Sequence, residues 1–119
     1  MKIEELNEHI ESQNSICKKY NSDIKPIDAQ LFIGLATDLE FEPINGFRHP
    51  EHGTMNGWYI WSGEWSDSND FFKPVHASCL VEMCPEILKY LSLDVGFRFQ
   101  IDRKGYEDVW FDEKITRLE

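Results

Sequence analysis

The stretch Phe97–Phe111, FRFQIDRKGYEDVWF, decides the fold class. Apolar and polar residues alternate along 97–101, which is the pattern of a strand with one buried face. Residues 102–105 end in glycine and lead into a second β-rich run, 106–111, so the whole stretch predicts a β-hairpin.

Upstream of the hairpin, the sequence predicts two more strands separated by a long loop. Residues 31–36 are apolar, and residues 58–62 are rich in aromatic side chains, which favour strands. Between them, residues 43–57 contain several Gly, Pro and Asn turn signals and are interpreted as a loop. A polar, acidic turn is expected over residues 63–69.

Two segments have helical spacing. Residues 3–20 predict an amphipathic helix, with acidic residues early and Lys18–Lys19 late, as the helix dipole favours. Val75–Leu91 contains Pro85, so we expect two short helices, with Pro85 in the first turn of the second. Together these elements predict a single α+β domain over residues 1–119. An antiparallel or mixed sheet would pack against the N-terminal helix and a central, Pro-interrupted helical segment.

The charge balance restricts the classes of partner. The 119 residues carry 22 acidic and 12 basic side chains, for a net charge of −10. Such a surface repels nucleic acid and anionic membranes, so we expect neither as a direct partner, whereas a basic protein suits it. Three cysteines and no apolar signal segment favour a reduced, cytoplasmic protein. No cofactor is expected, and monomer and oligomer both stay open.

Alternation divides the second hairpin strand between two faces. We expect Val109 and Phe111 to point into the core. The other face then carries a set of aromatic and acidic residues, predicted to bind a partner: Tyr106, Asp108, Trp110 and Asp112. Trp and Tyr beside carboxylates suit a cationic protein surface. The alternative is that Trp110 packs under a helix and Asp108 caps a turn.

A second acidic, Trp-containing segment lies between Arg48 and Lys73, where the chain has no Lys or Arg. Its candidate partner-binding residues are Glu64, Trp65, Asp67 and Asp70. They could anchor and steer a basic partner. The alternative is a solvated loop whose polar residues make turns.

Four residues form two pairs, each with two residues between its members: His49 and His52, and His76 and Cys79. Brought together, they could bind zinc or belong to a ligand-binding regulatory domain. Lone His and Cys side chains are more often structural, so we predict no metal. We also predict no enzyme, because no Gly-rich phosphate loop or nucleophile elbow is present. Cys79 is expected to be buried and inert.

The Arg48–His49 pair, together with His76, forms a candidate polar site. It could contact a ligand or partner. The alternative, which we favour, is that Arg48 pairs with a carboxylate such as Glu64 or Asp108 and holds the long loop on the sheet.

About two-thirds of the chain resembles a known family through a series of ordered segments. They are residues 43–50 (PINGFRHP), 57–64 (GWYIWSGE), 70–76 (DFFKPVH), 84–87 (CPEI), 90–91, 96–99 (GFRF) and 106–113 (YEDVWFDE). In order and spacing, the region from about 43 to 113 resembles the immunity-protein family numbered 33 of bacterial polymorphic toxin systems. The resemblance implies binding and neutralising a cognate toxin, and it carries no catalytic residue.

Overall fold

The computed structural model describes residues 10–28, 30–36, 39–66, 68 and 71–116. Its strands are β1 (Phe32–Ala36), β2 (Ile44–Arg48), β3 (Met55–Ser62), β4 (Lys73–His76), β5 (Phe97–Ile101) and β6 (Glu107–Phe111). They form one sheet in the order β4-β1-β3-β2-β5-β6, in which β1 runs parallel to β3 and the other neighbours are antiparallel. This mixed sheet, packed against helices, confirms the predicted α+β class.

The predicted hairpin is confirmed as β5 and β6. The strands pair from Phe97 opposite Phe111 to Ile101 opposite Glu107. The inner face of β5 buries Phe97, Phe99 and Ile101, as their alternation predicts. The hairpin therefore forms one edge of the sheet, and its inner face contributes side chains to the hydrophobic core.

The loop predicted over residues 43–57 is wrong, because this segment contains β2 and the start of β3. β2 lies in the middle of the sheet, and all five of its residues are buried. Its Gly46 is not a turn residue: the Phe99 ring lies directly over it and leaves no room for a Cβ. Asn45 likewise makes no turn but accepts a hydrogen bond from the Gln100 side chain (2.8 Å). Only the connection around residues 49–54 is a loop.

The helices cover the inner face of the sheet. Helix α1 (Ile10–Lys19) confirms the described part of the predicted 3–20 helix, whose first residues lie outside the described ranges. In the central segment, a 3₁₀ turn (Ala77–Cys79) leads into α2 (Leu80–Met83), and a 3₁₀ helix (Pro85–Tyr90) follows with Pro85 at its start. The two short helices are thus confirmed, the second as a 3₁₀ helix, and β4 was not foreseen. No helix in the described ranges is long and apolar enough to cross a membrane.

A carboxylate on β6 joins the sheet to the helical layer. The Glu107 oxygens accept hydrogen bonds from the hydroxyls of Tyr20 (2.5 Å) and Tyr90 (2.6 Å) and pair with Lys19 Nζ (2.8 Å). Burial raises the pKa of Glu107, but these three bonds outweigh it and lower the pKa to about 2. The carboxylate is therefore ionised in the fold at pH values that protonate it in the unfolded chain.

We expect Glu107→Gln to lower the free energy of unfolding by about 2 kcal/mol at neutral pH. A carboxyl group whose pKa is depressed by folding stabilises the fold above its unfolded pKa, about 4.3, and this stabilisation is lost as the pH falls toward 2. The difference between variant and wild type should therefore narrow as the pH falls from about 5 to 2. Urea unfolding at stepped pH measures it, with exposed Glu82→Gln as the control. A difference that is constant with pH would contradict the role given to Glu107.

Candidate functional site

The sheet has a second, outer face that the helices do not cover. Four residues lie side by side across it in register, one from each of β3, β2, β5 and β6: Tyr59, Phe47, Arg98 and Trp110. Beside this row, Trp61, Asn45, Gln100 and Asp108 form a second row on the same strands. The outer face therefore presents aromatic, acidic and amide side chains along two neighbouring rows.

The segment after β3 places further aromatic rings on this face. The ring centroid of Trp65 lies 5.0 Å from that of Trp61 and 6.4 Å from that of Phe47. Phe71 and Phe72 pack against Trp65 at 5.5 and 5.7 Å. Trp65 is nevertheless 53% exposed, since nothing in the described ranges covers its outer side. We call Trp65, Trp61, Phe47, Phe71 and Phe72, with Tyr59, the aromatic cluster.

A groove of about 370 Å³ opens between the aromatic cluster and the far end of β2. It is lined by Phe47, His49, Trp61, Trp65, Arg98 and Ile115. Most of its surface is apolar, with one guanidinium and one imidazole at its wall. Its volume suits a single large side chain of a partner or a small ligand.

Arg98 connects the aromatic cluster to the edge strand β6. Its guanidinium lies over the Phe47 ring (5.4 Å) and the Trp110 ring (5.7 Å) and donates to Asp112 Oδ2 (3.0 Å). Asp112 also caps the 3₁₀ turn Glu113–Ile115 by accepting the Lys114 N–H. The hydrogen bond from Arg98 contributes most to lowering the pKa of Asp112. Asp112 is therefore already engaged within the molecule.

The structure places most of the predicted partner-binding residues on or beside this one face. Tyr106 is 46% and Trp110 38% exposed, and Asp108 is exposed without an ion pair among the described residues. Glu64 is exposed next to Trp65. The remaining two candidates, Asp67 and Asp70, lie outside the described residues. Contacts link Trp65 through the buried Phe47 ring and Arg98 to Trp110, so the exposed side chains at the two ends of the face are held by one packed cluster.

One expectation for β6 is confirmed and one is wrong. Val109 is buried in the core, as predicted. Phe111 is on the same side of the strand but is 54% exposed, because it lies at the end of β6, where the helical layer does not cover it. Its ring packs instead on Phe97 and closely over Gly96.

The expected pairing of Arg48 with a carboxylate is wrong. Arg48 is fully buried and donates to the backbone oxygens of Lys25 (2.6 Å), Leu93 (2.7 Å) and Leu91 (3.3 Å). Burial lowers its pKa to about 10, so the guanidinium is still charged at neutral pH. Arg48 lies at the end of β2 and its side chain is directed into the core. From there it holds two connections, one containing Lys25 and one containing Leu91 and Leu93, through their backbone oxygens.

The three residues of the candidate polar site are not brought together. Arg48 faces the core, whereas His49 lies on the outer side, with Nδ1 3.0 Å from the Ile115 oxygen. His76 is on β4 at the far edge, and its ring packs against that of Phe32 at 4.3 Å between centroids. Three strand spacings separate β4 from β2, about 14 Å. The structure assigns only His49 to the groove.

The zinc hypothesis also fails on geometry. Within the described ranges, no three His, Cys, Asp or Glu side chains are grouped so that they could hold a metal ion. His52 lies in the turn before β3, and His76 and Cys79 lie on or just after the edge strand β4. Cys79 is exposed rather than buried, which corrects the sequence expectation. Burial instead raises the pKa of the Cys84 thiol, to about 11.

Sequence reasoning missed Phe47, Tyr59 and Arg98 as parts of the site. The sequence predicts a loop over 43–57, which includes Phe47, and predicts Arg98 as a polar residue of an alternating strand. The sequence does contain a signal for Phe47. In a strand over 44–48, alternate residues lie on opposite faces, so Asn45 and Phe47 share the face opposite to that of Ile44, Gly46 and Arg48. With β2 recognised as a strand, the aromatic row would have followed.

Comparison with known proteins identifies the family of this chain. The family model described as the Imm33-like domain matches residues 12–112, which include every strand of the sheet and most of α1. No curated protein and no solved structure matches the chain significantly. The family match covers most of the chain, and so this protein belongs to the Imm33-like family.

Proposed function

We propose that this protein is a bacterial immunity protein that binds its cognate toxin through the outer face of the sheet. The observation that carries the proposal is the set of exposed aromatic side chains on one face, Trp65, Tyr106 and Trp110, on a member of the Imm33-like family. Buried Phe47, together with Arg98, links Trp65 to Trp110 beneath this face. Exposed Trp and Tyr on a rigid sheet are typical anchors of protein interfaces. Exposed apolar side chains that are grouped on one face, unlike single scattered ones, often mark a site of interaction with another protein.

Charge supports a basic toxin as the partner. The net charge is −10, and Glu64 and Asp108 are exposed at opposite sides of the aromatic surface. Complementary charge accelerates encounter and selects among partners, and both effects weaken with salt. Asp112 contributes less, because Arg98 already neutralises it.

The mechanism is occlusion without turnover. An immunity protein that covers the active site or entry path of its toxin needs one molecule per toxin and no catalytic residue of its own. The groove of about 370 Å³ would receive one anchoring side chain of the toxin beside Trp61 and Trp65, which line it. Trp110 would contact the toxin next to the groove, on the far side of Arg98. The protein would act in the cytoplasm, where the toxin would otherwise reach its target.

Affinity capture from a lysate of the native host, followed by co-production, tests the proposal. We expect a stoichiometric partner with a basic domain that is released by high salt. Production of that domain in a test strain should stop growth, and co-production of this protein should restore it. A captured domain that stays toxic despite equal amounts of this protein would contradict the proposal.

A small-molecule-binding regulatory domain is the second candidate, and the groove is the observation that favours it. His49 and Arg98 would hold an anionic group there, beside the Trp61 and Trp65 rings. In that case, ligands from a metabolite library should raise the midpoint of thermal unfolding of the wild type but not of Trp61→Ala. A library without any stabilising ligand would count against this reading.

A further inference from the structure

β6 forms one edge of the sheet, and its outward hydrogen-bonding groups can be assigned. The backbone N–H of Asp102 donates to the backbone oxygen of Tyr106 (3.2 Å), and the backbone N–H of Asp112 donates to that of Gly96 (2.7 Å). Hydrogen-bonded pairs alternate in an antiparallel ladder, so every second residue of β6 bonds to β5. The residues between them direct their N–H and C=O groups away from the sheet: Glu107, Val109 and Phe111. Their backbone groups have no hydrogen-bond partner among the described residues.

The opposite edge, β4, is protected against an added strand. The backbone N–H of Ala77 donates to the Leu31 oxygen, so residues 77, 75 and 73 direct their backbone groups toward β1. The backbone groups of Pro74 and His76, which lie between them, face outward. Pro74 has no N–H to offer, and Lys73 beside it is exposed. Edge prolines and lysines are the usual means of preventing strand addition. β6 has neither, so the two edges of the sheet differ.

A groove of about 430 Å³ lies beside the open edge. Val109–Phe111 form one side, and Asn21–Asp23, in the turn after α1, form the other. Two carboxylates line the groove, Asp23 and Asp94, and neither forms an ion pair with a described residue. No Lys or Arg is among the described residues that line it. The groove therefore places unpaired backbone groups beside two carboxylates that form no direct ion pair within the described part of the chain, of which Asp94 also interacts with the buried Arg48 guanidinium.

We propose that β6 takes up a seventh strand, an extended basic segment of a partner protein. The segment would exchange hydrogen bonds with the outward groups of β6 and place alternate side chains in the groove, near Asp23 and Asp94. Its other side chains would lie beside Asp108 and Trp110 on the outer face. Identifying the segment as part of the toxin rests on the proposed function. A second copy of this chain fits less well, because each copy carries a net charge of −10.

Amide NMR with two synthetic peptides tests the edge directly. The probe is an acetylated nine-residue peptide in which lysine alternates with valine, and the control peptide has glutamate in place of lysine. We expect the lysine peptide to shift the amide signals of Glu107, Val109 and Phe111, and the glutamate peptide to leave them in place. In Phe111→Pro, which removes one outward N–H but no bond to β5, the affinity should fall about tenfold relative to Phe111→Ala.

Three results would overturn strand addition. They are unchanged signals at these amides, equal shifts with both peptides, and equal affinities of Phe111→Pro and Phe111→Ala. A free protein that sediments as a dimer and becomes monomeric in Phe111→Pro would assign the edge to a second copy instead. If the peptide test fails while the wild type neutralises its toxin, strand addition is wrong and toxin binding stands. If the peptide binds and no toxin is neutralised, the edge site stands and the immunity proposal is wrong.

Discussion

Replacing Arg48 by methionine should lower the free energy of unfolding by about 3 kcal/mol or more. The side chain is fully buried and reaches the backbone oxygens of Lys25, Leu91 and Leu93, which belong to two separate connections. Methionine fills much of the volume but donates no hydrogen bond. The Leu91 oxygen would keep the indole N–H of Trp58 (3.0 Å), whereas the other two would lose the Arg48 donor. A buried polar group without a partner is what makes such a substitution costly.

Urea unfolding followed by Trp fluorescence measures this effect. The free energy of unfolding of Arg48→Lys should lie between those of the wild type and Arg48→Met. The lysine ammonium group retains the positive charge but lacks the several N–H donors of the planar guanidinium group. Arg103→Met is the matched control: Arg103 is exposed and donates to Glu86 and to the Leu39 oxygen, so its loss should change the free energy of unfolding by less than about 1 kcal/mol. If Arg48→Met unfolds at the same urea concentration as the wild type, Arg48 does not anchor these connections.

Replacing Trp110 by alanine should weaken toxin binding by about thirtyfold or more, with no loss of fold. Trp110 is 38% exposed on the outer face and lies beside the Arg98 guanidinium, which fixes its position before a partner arrives. A pre-positioned aromatic side chain loses little conformational freedom on binding. The captured toxin domain and biolayer interferometry provide the measurement, and unchanged affinity would exclude the β6 part of the surface.

Charge reversal at Asp108 isolates the electrostatic part of the same interface. Asp108→Lys should slow association about tenfold at low salt, and the effect should shrink as salt rises. Glu82→Lys changes the net charge equally but lies on α2, on the opposite side of the sheet, so it should have a smaller effect. Equal effects of the two variants would show that overall charge, and not this surface, governs association.

The local sequence pattern was enough to predict strands in which apolar and polar residues alternate or in which successive residues are apolar. The β5–β6 hairpin is the clearest case. It failed at β2, where Asn45, Gly46 and nearby prolines are turn formers in isolation. In the sheet, Gly46 makes room for the Phe99 ring, a contact 53 residues away that no local pattern reveals. Tertiary packing here overrides local propensity.

The candidate site was predicted in part for a related reason. The exposed face of β6 follows from period-two alternation, and Trp65 follows from its polar surroundings. The cluster that joins them depends on Phe47 and Arg98, which only strand order brings side by side. The role of Arg48 could not be foreseen either. Backbone oxygens, which have no sequence signature, are its partners, and the sequence offers many carboxylates instead.

The most direct test of toxin neutralisation by occlusion is a titration of the purified toxin domain with this protein, with residual toxin activity measured at each molar ratio. Binding without turnover predicts that activity falls linearly and reaches its minimum at one equivalent, and that the Trp110→Ala, Asp108→Lys double variant fails to lower it at that ratio. Complete neutralisation far below one equivalent would show turnover, and full activity in excess protein would show that the toxin is not its partner; either result would contradict the account.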